Sequence, residues 1–140
     1  MLINRLSTAL LPFPRALLCD FMQCQKWVYP FFLAEWHKLR SFLEASPFFA
    51  TVEIISSSLL FTYDAEDESA SRANLKMIDF AKTFPFPAVG EVQCVEFGSD
   101  NCGETSHREP WVFGNHEDQY LNGLDNLIQL FESIDVEAWV

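Results

Sequence analysis

The stretch Met77-Ile-Asp-Phe-Ala-Lys-Thr83 holds the most suggestive chemistry in the sequence. Asp79 closes an apolar run, and a carboxylate at the end of a strand is presented where ligands gather. Its oxygens are hard donors, which suit Mg²⁺, an ion commonly held by one or two carboxylates together with substrate phosphates. Lys82 is the only cation between Lys76 and Arg108, and it is placed to meet an anionic substrate beside such a metal. A plainer reading stands next to this one: Asp79 as a solvated acid and Lys82 as an ordinary surface lysine, which the local sequence alone favours. Ser58 lies in a run of serines before Leu59 and Leu60, and no His and Asp arrangement that would make it a nucleophile is readable. His107 and His116, nine residues apart around Pro110-Trp111, fit no zinc pattern, so surface or turn-packing roles are expected. Cys19, Cys24, Cys94 and Cys102 form no C-x-x-C pair, and free thiols are the expectation.

These residues need elements to carry them. Phe32, Trp36, Leu39, Phe42 and Leu43 recur at helical spacing and predict a helix over 31–45 with those side chains on one face. Ser46-Pro47 ends it, because the residue before proline is pushed out of helical geometry. Val52 to Tyr63, rich in β-branched and aromatic residues, reads as a strand. Residues 64–72 are polar and charged with nothing to bury, hence a loop, and Leu75 to Phe80 reads as a second strand. Two strands joined by one loop most simply form an antiparallel hairpin. From Pro85 to Gly114 periodicity disappears, and a long surface excursion is expected. Asn115-His-Glu-Asp118 is a candidate N-cap for a helix whose apolar stripe runs from Tyr120 to Ile134. The fold class is therefore α+β, with a hairpin that needs helices to cover it.

Composition narrows the function. The 140 residues are 49% apolar, enough for a core, and carry a net charge of −11. That charge argues against a nucleic-acid partner, since phosphate neutralisation needs a basic surface. It is also uneven: residues 1–40 hold five cations against two acids, and residues 41–140 hold four against 18. Pro12, Pro14, Arg15, Asp20, Lys26 and Pro30 interrupt the apolar N-terminal residues, leaving no run of the ~20 residues a membrane span needs. No small-residue cleavage site follows the short run Leu6 to Leu11, so a cytoplasmic protein is expected.

Taken together, Ser56-Ser-Ser-Leu-Leu60, Met77-Ile-Asp-Phe-Ala-Lys-Thr83, Ser106-His-Arg-Glu-Pro-Trp-Val-Phe-Gly-Asn115 and Glu117-Asp-Gln-Tyr-Leu-Asn-Gly-Leu-Asp-Asn-Leu-Ile128 resemble the inositol polyphosphate kinases, and Glu44-Ala-Ser-Pro-Phe-Phe49 fits the same family. The resemblance runs from Trp36 to Ile134 with its blocks in family order. It is closest to the inositol-trisphosphate 3-kinase branch, because Lys82 stands where the multikinase and hexakisphosphate-kinase branches usually carry histidine. The resemblance implies ATP and Mg²⁺ as cofactors and an inositol phosphate as substrate. It implies Asp79 as ligand of the nucleotide-bound metal, Ser58 as its assistant and Lys82 as a contact to an inositol phosphate.

The departures are as informative. The Pro-x-x-x-Asp-x-Lys-x-Gly signature, which in that family supplies a catalytic aspartate and lysine, does not occur in these residues, so no catalytic residue is assigned. Gln119 and Ala81 stand where glycines are usual. The resemblance thus implies a C-terminal-lobe portion of the kinase fold with the small lobe missing: residues 34–137 as the kinase part and 1–33 as a non-family or wrongly joined segment. Too few cations remain after residue 40 to hold a trisphosphate, so little or no activity is expected of the chain alone. A calmodulin-binding segment is not supported, since residues 1–30 are neither helical in pattern nor basic enough. Two rival readings remain: a non-catalytic binding or assembly fragment, and an inositol polyphosphate multikinase.

Overall fold

The computed structural model describes residues 14–86, 103–112 and 115–139. In chain order these form α1 (Pro14–Met22), α2 (Val28–Glu44), α3 (Pro47–Ala50), β1 (Val52–Ile54), β2 (Ser58–Thr62), β3 (Asn74–Ile78), a 3-10 turn (Phe80–Lys82), β4 (Thr83–Pro85), α4 (Tyr120–Glu132) and a second 3-10 turn (Val136–Ala138). The arrangement is α+β, as expected. Two compact units partition the chain, one of residues 1–39, 58–78 and 125–140, the other of residues 40–57 and 79–124.

The first unit contains the predicted hairpin. β2 and β3 pair antiparallel with Ser58 opposite Ile78 and Thr62 opposite Asn74. Phe61 turns inward and is buried with Phe32, Trp36 and Phe131 around it; the ring centroids lie 5.3 Å from Phe32, 5.3 Å from Trp36 and 6.3 Å from Phe131. A single strand residue thus meets rings from two helices, the covering a lone hairpin needs. The loop after β2 is polar, as read: Asp67 accepts from the hydroxyls of Ser69 and Ser71, and Arg72 bonds Asp64 at 2.8 Å. The expectation of no helix before residue 30 is overturned by α1. Its Leu18, Phe21 and Met22 are buried, and the Phe21 carbonyl accepts the Tyr63 hydroxyl at 2.7 Å. The helix goes unseen in the sequence because nine residues are too few for a period to stand out.

Elsewhere the sequence reading needed three corrections. The strand expected over 52–63 is cut at Ser56, whose φ of 57° is left-handed and cannot continue an extended chain. β1 therefore leaves β2 and pairs instead with β4, Glu53 opposite Phe84, a strand the sequence did not reveal. The run of serines at 56–58 was the available signal, since serine favours turns. The strand expected to reach Phe80 stops at Ile78 for the same reason: Asp79 sits at φ 67° and ψ 53°, a conformation aspartate tolerates better than most residues. The third correction concerns α2. Phe42, placed by periodicity on the buried face, is 71% exposed, whereas Leu43 beside it is buried. Ser46 does end α2, and it also begins α3, its hydroxyl accepting from the Phe49 N–H at 3.2 Å with Pro47 in the first turn.

Candidate functional site

Asp79 is exposed on its left-handed turn, immediately after β3. The 3-10 turn Phe80–Lys82 follows, and Lys82 ends it, also exposed. The turn is held from the backbone: the Lys82 carbonyl accepts the Ile55 N–H at 3.0 Å, which continues the β1–β4 ladder past Ile54 and Thr83. Ladder and turn together fix where Lys82 leaves the chain. Ser58 begins β2, half-buried, and its strand partner Ile78 is the residue that precedes Asp79 in the chain. Among the described residues no group of three or more His, Cys, Asp or Glu side chains is close enough to share a metal ion.

Cations are scarce, and most are engaged. Arg108 bonds Glu44 at 3.2 Å, and Arg40 bonds the same carboxylate. Those two guanidinium groups, Arg40 first, hold the Glu44 carboxyl below the ordinary glutamate value. Arg72 is paired with Asp64. Among the described residues, Lys82 makes no ion pair.

A second cluster went unrecognised in the sequence. His107, expected at the surface or packed on a turn, is 1% exposed. One ring nitrogen lies 2.7 Å from an Asp118 carboxylate oxygen and the other 2.7 Å from the Phe49 carbonyl. The imidazole is stacked on the Phe49 ring with centroids 3.7 Å apart. Asp118 also accepts the Ile54 N–H at 3.0 Å and the Tyr120 N–H at 2.9 Å, so one carboxylate joins β1, the His107 loop and the start of α4. This is the N-terminal cap role expected of the 115–118 segment. Glu117, equally buried, receives the Ser106 N–H at 3.0 Å, the Ser106 hydroxyl at 3.1 Å and the Arg108 N–H at 3.2 Å. Burial pushes its carboxyl up, but these donors and the Thr105 hydroxyl outweigh burial and hold it below the ordinary value. Phe49, His107 and Glu117 belong to three separate stretches that carry the sequence resemblance, and the fold gathers all three here. Their likeness to the family is therefore explained in part by folding rather than by substrate chemistry. The missed signal was the polar density of Thr105-Ser-His107 facing Glu117-Asp118.

A sequence profile described as inositol polyphosphate kinase matches residues 14–132. This chain belongs to the inositol polyphosphate kinase family. The match reaches back into the segment 1–33 that the sequence reading had set apart. Among relatives of this inositol polyphosphate kinase chain, inositol-trisphosphate 3-kinase A of Mus musculus is 40% identical over 115 residues, 82% of this chain and 21% of that protein. Inositol-trisphosphate 3-kinase C of Mus musculus is 40% identical over 115 residues, 82% of this chain and 14% of its own length. The inositol-trisphosphate 3-kinase homolog of Caenorhabditis elegans is 35% identical over 96 residues, 69% of this chain and 16% of that protein. The chain thus spans about a fifth or less of the curated relatives it matches. No helix among the described residues is long and apolar enough to cross a membrane.

Proposed function

We propose that this chain is part of a kinase of the inositol-trisphosphate 3-kinase type, which moves the γ-phosphoryl of ATP to the 3-hydroxyl of inositol 1,4,5-trisphosphate. The observation that carries the reading is the pairing, on one short turn, of an exposed hard-oxygen donor, Asp79, with an exposed lysine, Lys82, that has no acid partner among the described residues. The donor chemistry fits Mg²⁺ bound to a nucleotide: Asp79 would hold the ion, the Ser58 hydroxyl would assist, and Lys82 would face an inositol phosphate. When bound, the ion neutralises charge on the phosphate oxygens during transfer. Phosphoryl transfer is mostly positioning and charge neutralisation, which is why a carboxylate and a cation set side by side are worth more than either alone. Under this reading the kinase-derived portion takes in residues 34–137 and, with the family match, extends back to residue 14; coding sequence upstream of Trp36 tests how the preceding stretch is joined.

The chain alone lacks a basic wall for a trisphosphate. Four cations against 18 acids after residue 40 repel polyanions, and Glu44 and Asp64 engage Arg108 and Arg72. Incubation of the 140-residue chain with labelled ATP, Mg²⁺ and the trisphosphate is expected to give no transfer, and turnover like that of a complete kinase overturns this. Adding the small lobe of a related kinase is expected to restore binding of Mg²⁺–ATP, with Asp79→Asn abolishing it. Asparagine is the right replacement because it keeps the left-handed turn. The acid surplus also favours a second reading, an assembly fragment without catalysis, under which the small lobe binds but Asp79→Asn leaves nucleotide binding unchanged. A multikinase would add phosphate at more than one ring position, which product analysis resolves. The same surplus speaks for no nucleic-acid partner, and the cytoplasm is the compartment proposed; fractionation tests it.

A further inference from the structure

α1 ends in a tight cap with an unusual pair of side chains. The Gln23 N–H returns to the Asp20 carbonyl at 3.2 Å, and the Cys24 N–H returns to the Cys19 carbonyl at 3.1 Å. Gln23 and Cys24 both have positive φ, 52° and 53°. This is the bonding pattern of a Schellman cap, in which the residue two past the helix end folds back over the residue three from it, usually as an apolar contact. Here those two residues are both cysteines. Both are free thiols, half-buried, and neither is out of reach.

We propose that Cys19 and Cys24 form a redox-closable dithiol, oxidised to an intramolecular disulfide by a low-molecular-weight disulfide such as oxidised glutathione. The Cys24 N–H bond to the Cys19 carbonyl brings the two backbones together across the cap, which a disulfide requires, since cysteines whose α-carbons stand apart cannot be bridged without backbone movement. The hydrogen bond to Cys24, burial and the charge of Asp20 push the Cys19 thiol up to about 11, so Cys19 is the poor attacker and the exchange starts on the other sulfur. In the first step the Cys24 thiolate attacks one sulfur of the glutathione disulfide; that S–S bond breaks, and one glutathione leaves and takes up the proton Cys24 lost. In the second, Cys19 gives up its proton and attacks the Cys24 sulfur; the mixed disulfide breaks, and the second glutathione leaves with that proton. Two protein thiols are oxidised and one disulfide is reduced to two thiols. The bond would lock the corner between α1 and α2, from which Gln25 reaches the Ala65 carbonyl at 3.2 Å.

The test is equilibration of the full chain in glutathione buffers of graded potential, folded and in urea, followed by alkylation and tryptic digestion. Cleavage after Arg15 and Lys26 leaves Cys19 and Cys24 on one peptide. The expected result is that peptide unalkylated and lighter by about two hydrogens, with a closure constant at least tenfold larger in the folded chain than in urea. Cys19→Ser is expected to trap glutathione on Cys24, while Cys24→Ser stays reduced at the same potential. Equal closure constants in the folded and unfolded chain, or glutathione trapped on Cys19 rather than Cys24, overturn the proposal.

Discussion

Gln119 shows how a single position can record its backbone before any contact is known. It stands where the family usually has glycine, and its φ is 55°, a region that costs a residue with a β-carbon roughly 1 kcal/mol. The side chain is exposed, so little packing is lost on its removal. Gln119→Gly is expected to stabilise the chain by about 0.5 kcal/mol, read as a higher urea midpoint; a lower midpoint contradicts the account. Glu117 makes a pH-dependent contribution. Its folded carboxyl lies below the ordinary value of 4.5, so its stabilisation is present above that value and is lost as pH falls through the folded one. The stability difference between the wild type and Glu117→Gln should therefore shrink between pH 6 and pH 3. A constant difference in urea titrations across that range would show that the carboxylate charge is not what the donors hold.

At the scale of elements, the two strands joined by a polar loop were legible because alternation, β-branching and an acidic loop agree there. The cut at Ser56 was less so: the serines at 56–58 hint at a turn, but residue type does not say that a left-handed serine divides the run between two partners. α3 is too short to be stable by itself and depends on its cap. Ser46→Ala is expected to cost about 1 kcal/mol, visible as a lowered melting temperature, and Ser46→Asp should restore most of it. Failure of the aspartate variant to rescue would mean that the hydroxyl serves something other than the Phe49 N–H. Trp36 presents the opposite case, a residue whose importance the periodicity already announced. It is fully buried between Phe61 and Phe131, and Trp36→Ala should cost about 3–5 kcal/mol. Phenylalanine in its place should cost clearly less, because the indole N–H has no partner among the described residues; equal losses would argue for a hidden one.

For the whole molecule, charge dominates. A net −11 on 140 residues destabilises a compact state through self-repulsion, which salt screens within about 10 Å at 0.1 M. The melting temperature is expected to rise as sodium chloride goes from about 10 to 150 mM, and a fall would mean that pairs such as Arg108–Glu44 outweigh the repulsion. Residue order alone was enough for the kinase family, the hairpin and the approximate spans of α2 and α4. Each of those rests on order, period or composition along the chain, which survive without coordinates. The tertiary structure was needed to show that β1 leaves its neighbour for β4, that His107 is an interior clasp instead of a surface group, that Glu117 is buried beside it, and that Phe42 faces out. These depend on partners about 10 to 60 residues away or on the sign of one φ, and neither quantity is written in local residue type.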